Sequence, residues 1–134
     1  MYEYRVKIVR VVDGDTVDVD IDLGFGVWLK KQRVRLYGID TPESRTRDLV
    51  EKRFGNMAKD YLKSRLSSGA ILGTRLDKKG KFGRILGEFF VLDTDQKINV
   101  NEELISKHHA VAYYGQSKEE IEEAHLVNRT FFED

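Results

Sequence analysis

Apolar and polar residues alternate along the first forty residues of the chain in three successive stretches. Residues 2–8 and 16–22 place apolar side chains at every second position, and residues 29–39 place Val34 and Leu36 on one face. This period of two is typical of strands with one buried face. Asp13-Gly14 separates the first two stretches, and Gly24-Phe25-Gly26 separates the next two, which are typical turn sequences. The pattern therefore predicts a three-stranded meander at the start of the chain.

The period then changes to that of a helix. Asp48, with Glu51 three residues later, resembles a capping box, and Gly69 marks the end of the segment. Apolar residues at helical spacing lie between them: Val50, Phe54, Met57, Ala58, Tyr61, Leu62 and Leu66. Two strands follow at 70–76 and 84–92.

Two further helices complete the pattern, and we expect Asn101 to cap the first and Ser117 the second. Five strands with a helix between the third and fourth, followed by two C-terminal helices, is the order of an OB-type barrel. We therefore predict an α+β fold that is mainly a five-stranded β-barrel.

Length and composition limit the class of protein. The 134 residues fit a single domain spanning 1–134, and the 40% apolar and 34% charged content is typical of a soluble globule. The absence of cysteine excludes disulfides, zinc–thiolate sites and thiol nucleophiles. No apolar run reaches the roughly 18 residues that a membrane helix needs, and we expect no membrane partner.

The zero net charge of the chain hides a dipolar distribution. Residues 30–47 hold six basic and two acidic side chains, whereas residues 63–84 hold seven basic and one acidic. Residues 115–134 hold six acidic and two basic. Solvated surface is the ordinary explanation for such segments. The basic segments nevertheless adjoin the acidic residues that carry the candidate chemistry.

Two acidic clusters end alternating stretches. The first is Asp13-Gly14-Asp15-Thr16, and the second is Asp40-Thr41-Pro42-Glu43. Asp15 shares the parity of the apolar face that follows it, so its carboxylate is expected near the mouth of the barrel. Oxygen-only ligands suit calcium or magnesium. Turns and caps also favour Asp, so either cluster alone has a purely structural explanation.

Two arginines flank the acidic clusters, and their presence favours a functional explanation over turns and caps alone. Arg35 precedes the second cluster and Arg84 follows a Lys-Phe-Gly turn. A planar guanidinium matches two equatorial oxygens of a phosphoryl transition state at once. The nearby Lys81 and Phe82, with Tyr113 and Tyr114, could contact phosphate and base, although packing is an equally good explanation for the tyrosines.

At this point the sequence resembles the staphylococcal nuclease (thermonuclease-like) family. The segments that carry the resemblance are 12–17, 35–43, 81–84 and 100–102, and they occur in the family's order. The resemblance implies an OB-type barrel and calcium-dependent hydrolysis of DNA and RNA, preferably single-stranded, with 3′-phosphate products and little sequence specificity. It also implies a C-terminal helix anchored by tryptophan. Here Trp28 is the single tryptophan, and we expect Phe131 and Phe132 to take that part.

The resemblance also implies roles for individual residues. Asp15, Asp40 and the Thr41 carbonyl would hold the cation, and Glu43 would orient or deprotonate water. Arg35 and Arg84 would stabilise the phosphorus centre. The terminal phosphate and base would be held by the four residues Lys81, Phe82, Tyr113 and Tyr114.

An OB-type module that binds nucleic acid or protein without cleaving is the alternative. Degenerated modules of this kind are expected to lose a charged site residue, whereas all five are present here: Asp15, Arg35, Asp40, Glu43 and Arg84. We expect a monomer. The N-terminus lacks a basic stretch followed by an apolar one, so a cytoplasmic location, or a host cell for a viral source, is favoured over secretion.

Overall fold

The computed structural model describes residues 2–75 and 84–133, apart from the side chain of Arg84. Within these residues it contains eight strands, three α-helices and a short 3₁₀ turn. In chain order they are β1 (Tyr2–Asp13), β2 (Thr16–Gly24), β3 (Val27–Leu36), β4 (Ile39–Asp40), α1 (Leu49–Leu66), β5 (Ala70–Arg75), β6 (Arg84–Asp93), β7 (Gln96–Asn99), α2 (Val100–Ser106), β8 (Val111–Ala112), α3 (Lys118–Arg129) and the 3₁₀ turn (Thr130–Phe132).

Five of the strands form a closed barrel, as the sequence predicts. The order β3-β2-β1-β5-β6 is antiparallel throughout, and a parallel pairing of β3 with β6 closes it. Helix α1 lies between the third and fourth barrel strands along the chain, as expected of an OB-type fold. Two features were not predicted: β7 extends the sheet beyond β6, and β4 pairs with β8 in a separate ribbon.

The barrel interior is filled by the apolar faces of the alternating stretches. The residues without exposed surface include Val17, Val19, Val34, Leu72 and Phe89. Helix α1 covers this core with its own buried face, which contains Ala58, Leu62 and Leu66. Burial of apolar side chains at the period-two positions explains why the three N-terminal strands were readable from sequence.

The predicted capping box at the start of α1 is only half formed. The Asp48 carboxylate accepts hydrogen bonds from the backbone N–H groups of Val50 and Glu51, as an N-cap should. The Glu51 carboxylate, however, accepts from the backbone N–H of Glu43 at 3.0 Å. The residue expected to complete the cap therefore holds the loop that carries Glu43.

The predicted role of Asn101 is wrong. Asn99 caps α2, since its side chain accepts from the backbone N–H of Glu102, and Asn101 lies inside the helix with 2% of its surface exposed. Its amide group donates to the carbonyls of Tyr37 and Gly87 at 3.0 Å each and accepts from the N–H of Phe89 at 3.2 Å. Asn101 thus joins β6 to the corner between β3 and β4.

Helix α3 begins at Ser117 as predicted, with the Ser117 hydroxyl accepting from the N–H of Glu120. The chain end is anchored by aromatic contacts. Phe131 stacks on His108 with ring centroids 3.6 Å apart, and Phe132 lies 5.3 Å from His109 and 6.0 Å from Phe54. The two phenylalanines therefore make the anchoring contacts that the sequence led us to expect.

In the part of the chain that the structure describes, no helix is long and apolar enough to cross a membrane.

Candidate active site

Asp15 lies at the barrel mouth, where the sequence places it. It sits in the turn between β1 and β2, and its side chain is 15% exposed. The carboxylate accepts hydrogen bonds from the Thr16 hydroxyl at 3.1 Å and from the backbone N–H of Thr41 at 3.2 Å. The second bond brings the two acidic clusters together although 26 residues separate its partners.

The close approach of the clusters depends on Gly14. A Cβ at this position would lie 2.8 Å from the Cβ of Ala58 in α1 and 3.0 Å from two side-chain atoms of Thr41. The glycine therefore lets the first turn pack directly against α1 and the second cluster. This requirement is steric, because the Gly14 backbone does not adopt a positive φ.

Asp40 is held by the small ribbon that the sequence did not reveal. It ends β4, where it pairs with Val111 of β8, and the next residue, Thr41, is buried. The Thr41 hydroxyl oxygen has no hydrogen-bond partner among the described residues. An unsatisfied buried oxygen beside two carboxylates is a polar feature that a bound ion or water would satisfy.

Arg35 connects the two clusters. Its guanidinium lies 3.2 Å from Asp15 Oδ2 and 3.7 Å from Asp40 Oδ1. It also donates to the carbonyls of Asp15 and Leu36 at 3.4 Å, and its side chain is 18% exposed. The sequence-based expectation that Arg35 lies beside the acidic clusters therefore agrees with its position.

Glu43 lies beside the same group of carboxylates on an exposed loop. Desolvation raises the pKa of its carboxyl, and the negative charges of Asp13, Asp15, Glu51 and Asp40 raise it further. The Ser44 hydroxyl donates to Asp13, so Asp13 ties the end of β1 to this loop.

The Glu43 loop rests on the backbone of α1. A Cβ at Gly55 would lie 2.5 Å from the carbonyl carbon of Glu43 and 2.7 Å from the nitrogen of Ser44. Both are backbone atoms, so neither can move aside without moving the loop. The absence of a side chain at Gly55 therefore allows the backbone of Glu43 to lie directly against α1.

We expect Gly55→Ala to lower stability by about 1–2 kcal/mol and to reduce the phosphodiester cleavage that the family resemblance implies. Overpacking costs about 1–3 kcal/mol, and the better helix propensity of alanine returns at most about 1 kcal/mol. Urea unfolding and oligonucleotide cleavage measure the two effects. Asn56→Ala is the matched control, because it is the next helical position and is exposed. A Gly55→Ala variant more stable than the native protein would contradict the close approach.

The remaining predicted site residues are placed less fully. Tyr113 and Tyr114 follow β8 and are 42% and 77% exposed, and the N–H of Tyr113 donates to the Gly38 carbonyl two residues before Asp40. Their rings are thus available at the edge of the site. Lys81, Phe82 and the Arg84 side chain lie outside the described residues, so their predicted roles stay predictions. The backbone of Arg84 begins β6, beside Arg33 of β3.

His125 is a residue of the site that the sequence did not single out. It lies in α3, and its Nε2 is 2.8 Å from Asp40 Oδ2 across 85 residues of sequence. A single histidine on an amphipathic helix gives no signal of such a contact. The paired histidines that the sequence did single out, His108 and His109, pack against Phe131 and Phe132 instead.

The donor set fits a hard cation with open coordination positions. Within residues 2–75 and 84–133, no group of three or more His, Asp or Glu side chains converges as metal ligands. Asp15 and Asp40 nevertheless face one guanidinium, and calcium takes six to eight oxygen ligands. Two carboxylates would leave most of these positions to a carbonyl, water and substrate oxygens, as is usual for a catalytic ion.

Comparison with known proteins identifies relatives of this chain. The family described as "Staphylococcal nuclease homologue" matches residues 33–130. An uncharacterized protein from Methanocaldococcus jannaschii, MJ1439, is 32% identical over 129 residues. Endonuclease YhcR of Bacillus subtilis is 33% identical over 119 residues, and thermonuclease of Staphylococcus hyicus is 34% identical over 85.

These alignments cover 82%, 84% and 63% of this chain, respectively. They span 59% of the M. jannaschii protein, 9% of endonuclease YhcR and 47% of the S. hyicus thermonuclease. The chain thus spans less than two thirds of the length of each of these relatives. The family match covers most of the chain, from the end of β3 to the end of α3. The chain therefore belongs to the staphylococcal nuclease homologue family.

Proposed function

We propose that this protein is a calcium-dependent nuclease that hydrolyses phosphodiester bonds of DNA and RNA. The proposal includes single strands as preferred substrates, little sequence specificity and products with 3′-phosphates. The single observation that supports it most is the contact of Arg35 with both Asp15 and Asp40. A guanidinium can bind phosphate in a bidentate manner, and this one contacts two carboxylates that could hold a metal ion.

Asp15, Asp40 and the Thr41 carbonyl would hold the cation. When bound, it would supply positive charge to the phosphate oxygens and lower the pKa of nearby water. Without it, Asp15 and Asp40 repel each other, and Arg35 offsets only part of that charge. Burial raises the pKa of the Glu43 carboxyl, and the nearby negative charges, including those of Asp15 and Asp40, raise it further.

Three further residues would carry out the chemistry with the bound phosphate. Arg35 would neutralise charge that develops on the equatorial oxygens, because its fork matches two of them. Glu43 would accept a proton from the attacking water, since its exposed carboxyl reaches solvent beside the two Asp residues. Arg84 is proposed from the sequence for the leaving oxygen.

Substrate would be held on either side of this centre. Tyr113 and Tyr114 are exposed beside β4 and offer faces for base stacking. Lys81 and Phe82 are proposed from the sequence for the terminal phosphate and the base. A surface of this kind recognises backbone and stacked bases, so little sequence specificity is expected.

We expect cleavage of a fluorescent single-stranded oligonucleotide in calcium and none above background in chelator. A catalytic cation contributes several kcal/mol, so its removal should slow cleavage by about two orders of magnitude or more. DNA and RNA versions of one oligonucleotide, resolved on gels, measure the rates. Readdition of calcium to the chelated protein is the control for irreversible damage. Treating the products with phosphatase before electrophoresis tests for 3′-phosphates.

Two results would contradict the proposal. Equal cleavage in calcium and in chelator would exclude a cation-dependent mechanism. If the protein binds the oligonucleotide but cleaves it neither in calcium nor in chelator, the alternative, an OB-type binding module, would be favoured.

A further inference from the structure

We propose that His125 is a positioning residue that fixes the carboxylate of Asp40 for cation binding. Its Nε2 lies 2.8 Å from Asp40 Oδ2, and its side chain is 12% exposed. A carboxylate oxygen in its charged form only accepts hydrogen bonds, so Nε2 is the donor. The inference rests on the proposed function, because it gives Asp40 the role of cation ligand.

The two oxygens of Asp40 have different partners. Oδ2 is bound by His125, whereas Oδ1 lies 3.7 Å from the guanidinium of Arg35, which also contacts Asp15. Two contacts on opposite oxygens set the plane of a carboxylate. The hydrogen bond from His125 therefore restrains rotation of the Asp40 carboxylate and keeps one of its oxygens directed toward Arg35.

The imidazole ring has a fixed position because α3 is attached to the strand that pairs with Asp40. Asn128, one turn after His125, donates to the Ala110 carbonyl at 3.0 Å. The next residue, Val111, pairs with Asp40 in the β4–β8 ribbon. Helix α3 is therefore connected to Asp40 in two ways, through β8 and through the hydrogen bond of His125.

Nδ1 of the same ring makes no comparable contact. It is buried and has no hydrogen-bond partner among the described residues. The bond to Asp40 is thus the polar interaction that orients the ring in the described structure. In other metal sites, a histidine and a carboxylate form such a hydrogen bond, and the residue that does not bind the metal holds the metal ligand in place. Loss of that supporting residue costs about 10–100-fold in metal affinity.

The position of the donor atom gives a matched pair of variants. Glutamine carries its amide nitrogen at about the place of Nε2, whereas asparagine carries it at about the place of Nδ1. We expect His125→Gln to bind calcium with a dissociation constant within about threefold of the native value. We expect His125→Asn to raise that constant by about 10–100-fold. Titration calorimetry with calcium alone measures both without any nuclease assay.

A purely structural role for His125 would not separate glutamine from asparagine in this way. His108→Asn is the control for general damage to the packing of α3, because His108 stacks on Phe131 and its positive φ of 66° suits asparagine. It should leave calcium affinity unchanged. Thermal unfolding of all three variants checks that they are folded at the titration temperature.

Nuclear magnetic resonance supplies a second test that does not depend on the variants folding. The long-range proton–nitrogen spectrum of the calcium-free native protein should show His125 protonated at Nε2. A neutral ring protonated at Nδ1 would overturn the proposal. Equal calcium affinity of His125→Asn and the native protein would also overturn it, while leaving the proposed function intact. A native protein that binds no calcium would overturn the proposed function and, with it, this inference.

Discussion

Replacing Arg35 by alanine is expected to lower kcat/KM for oligonucleotide cleavage by about 10²–10³-fold. This is the usual loss when one preorganised donor to a transition-state oxygen is removed, and it corresponds to about 2.7–4 kcal/mol. The site offers a physical reason for placing Arg35 at the upper part of that range. The same guanidinium that would contact phosphate also contacts Asp15 and Asp40, so its removal disturbs both carboxylates.

Arg35→Lys separates charge from geometry. Lysine keeps the positive charge but offers a single ammonium instead of a planar fork. It cannot span Asp15 and Asp40 while also presenting two parallel donors to a phosphate. We therefore expect its kcat/KM to lie between those of the native protein and Arg35→Ala, at saturating calcium.

Arg33→Ala is the matched control for Arg35→Ala. Arg33 lies two positions earlier on β3 and binds Asp18 with two hydrogen bonds, at 2.8 and 3.1 Å, on the exposed face of the barrel. An exposed ion pair of this kind contributes about 0.2–1 kcal/mol to stability. In the described structure Arg33 forms its ion pair with Asp18 and not with a carboxylate of the acidic clusters. Its loss should leave kcat/KM unchanged. If Arg35→Ala retained kcat/KM within threefold of the native protein, the proposed role of Arg35 would be wrong.

Replacing Asn101 by leucine is expected to lower the free energy of unfolding by about 2–5 kcal/mol. The substitution leaves the N–H of Phe89 and the carbonyl of Tyr37 without the side chain that satisfies them. Each buried group left unsatisfied costs about 1–3 kcal/mol. The Gly87 carbonyl is spared in part, since it also accepts from the N–H of Tyr37 at 2.8 Å. Urea unfolding followed by circular dichroism measures the loss.

The contrast with Asn99 decides between the two interpretations of this segment. Asn99→Ala removes the observed cap of α2 and should cost about 0.5–2 kcal/mol. If Asn101 were the cap, as the sequence suggested, the two costs would be reversed. A loss below 1 kcal/mol for Asn101→Leu, with a native denaturant slope, would show that its three hydrogen bonds contribute little.

The predictability of the site differed from residue to residue for physical reasons. Asp15 and Arg35 could be placed together because they lie at adjoining ends of β2 and β3, whose alternation is readable from the sequence. Asp40 was expected near them because it follows the same stretch, although its position depends on the β4–β8 ribbon. Glu51 was assigned to the cap of α1 because the capping box is a local pattern. In the structure its carboxylate instead binds the backbone of Glu43, a partner that becomes available only when the loop and the helix meet.

Asn101 and His125 were misread or missed for the same reason. The partners of Asn101 include Tyr37, 64 residues away, and the partner of His125 is 85 residues away. Neither pairing leaves a periodic trace in the sequence. Gly14 and Gly55 are similar, since one glycine in a turn and one in a helix have local explanations that conceal their close approaches.

By itself the sequence determined the five barrel strands, the helices, their order and the acidic and basic residues that would meet at the barrel mouth. These follow from periodicity and turn chemistry, which act over a few residues. Only the tertiary structure decided that β3 closes on β6, that β4 pairs with β8, and that His125 binds Asp40. Such pairings depend on the packing of the whole barrel, because hydrogen bonds between distant segments form only where the buried core has already brought them together.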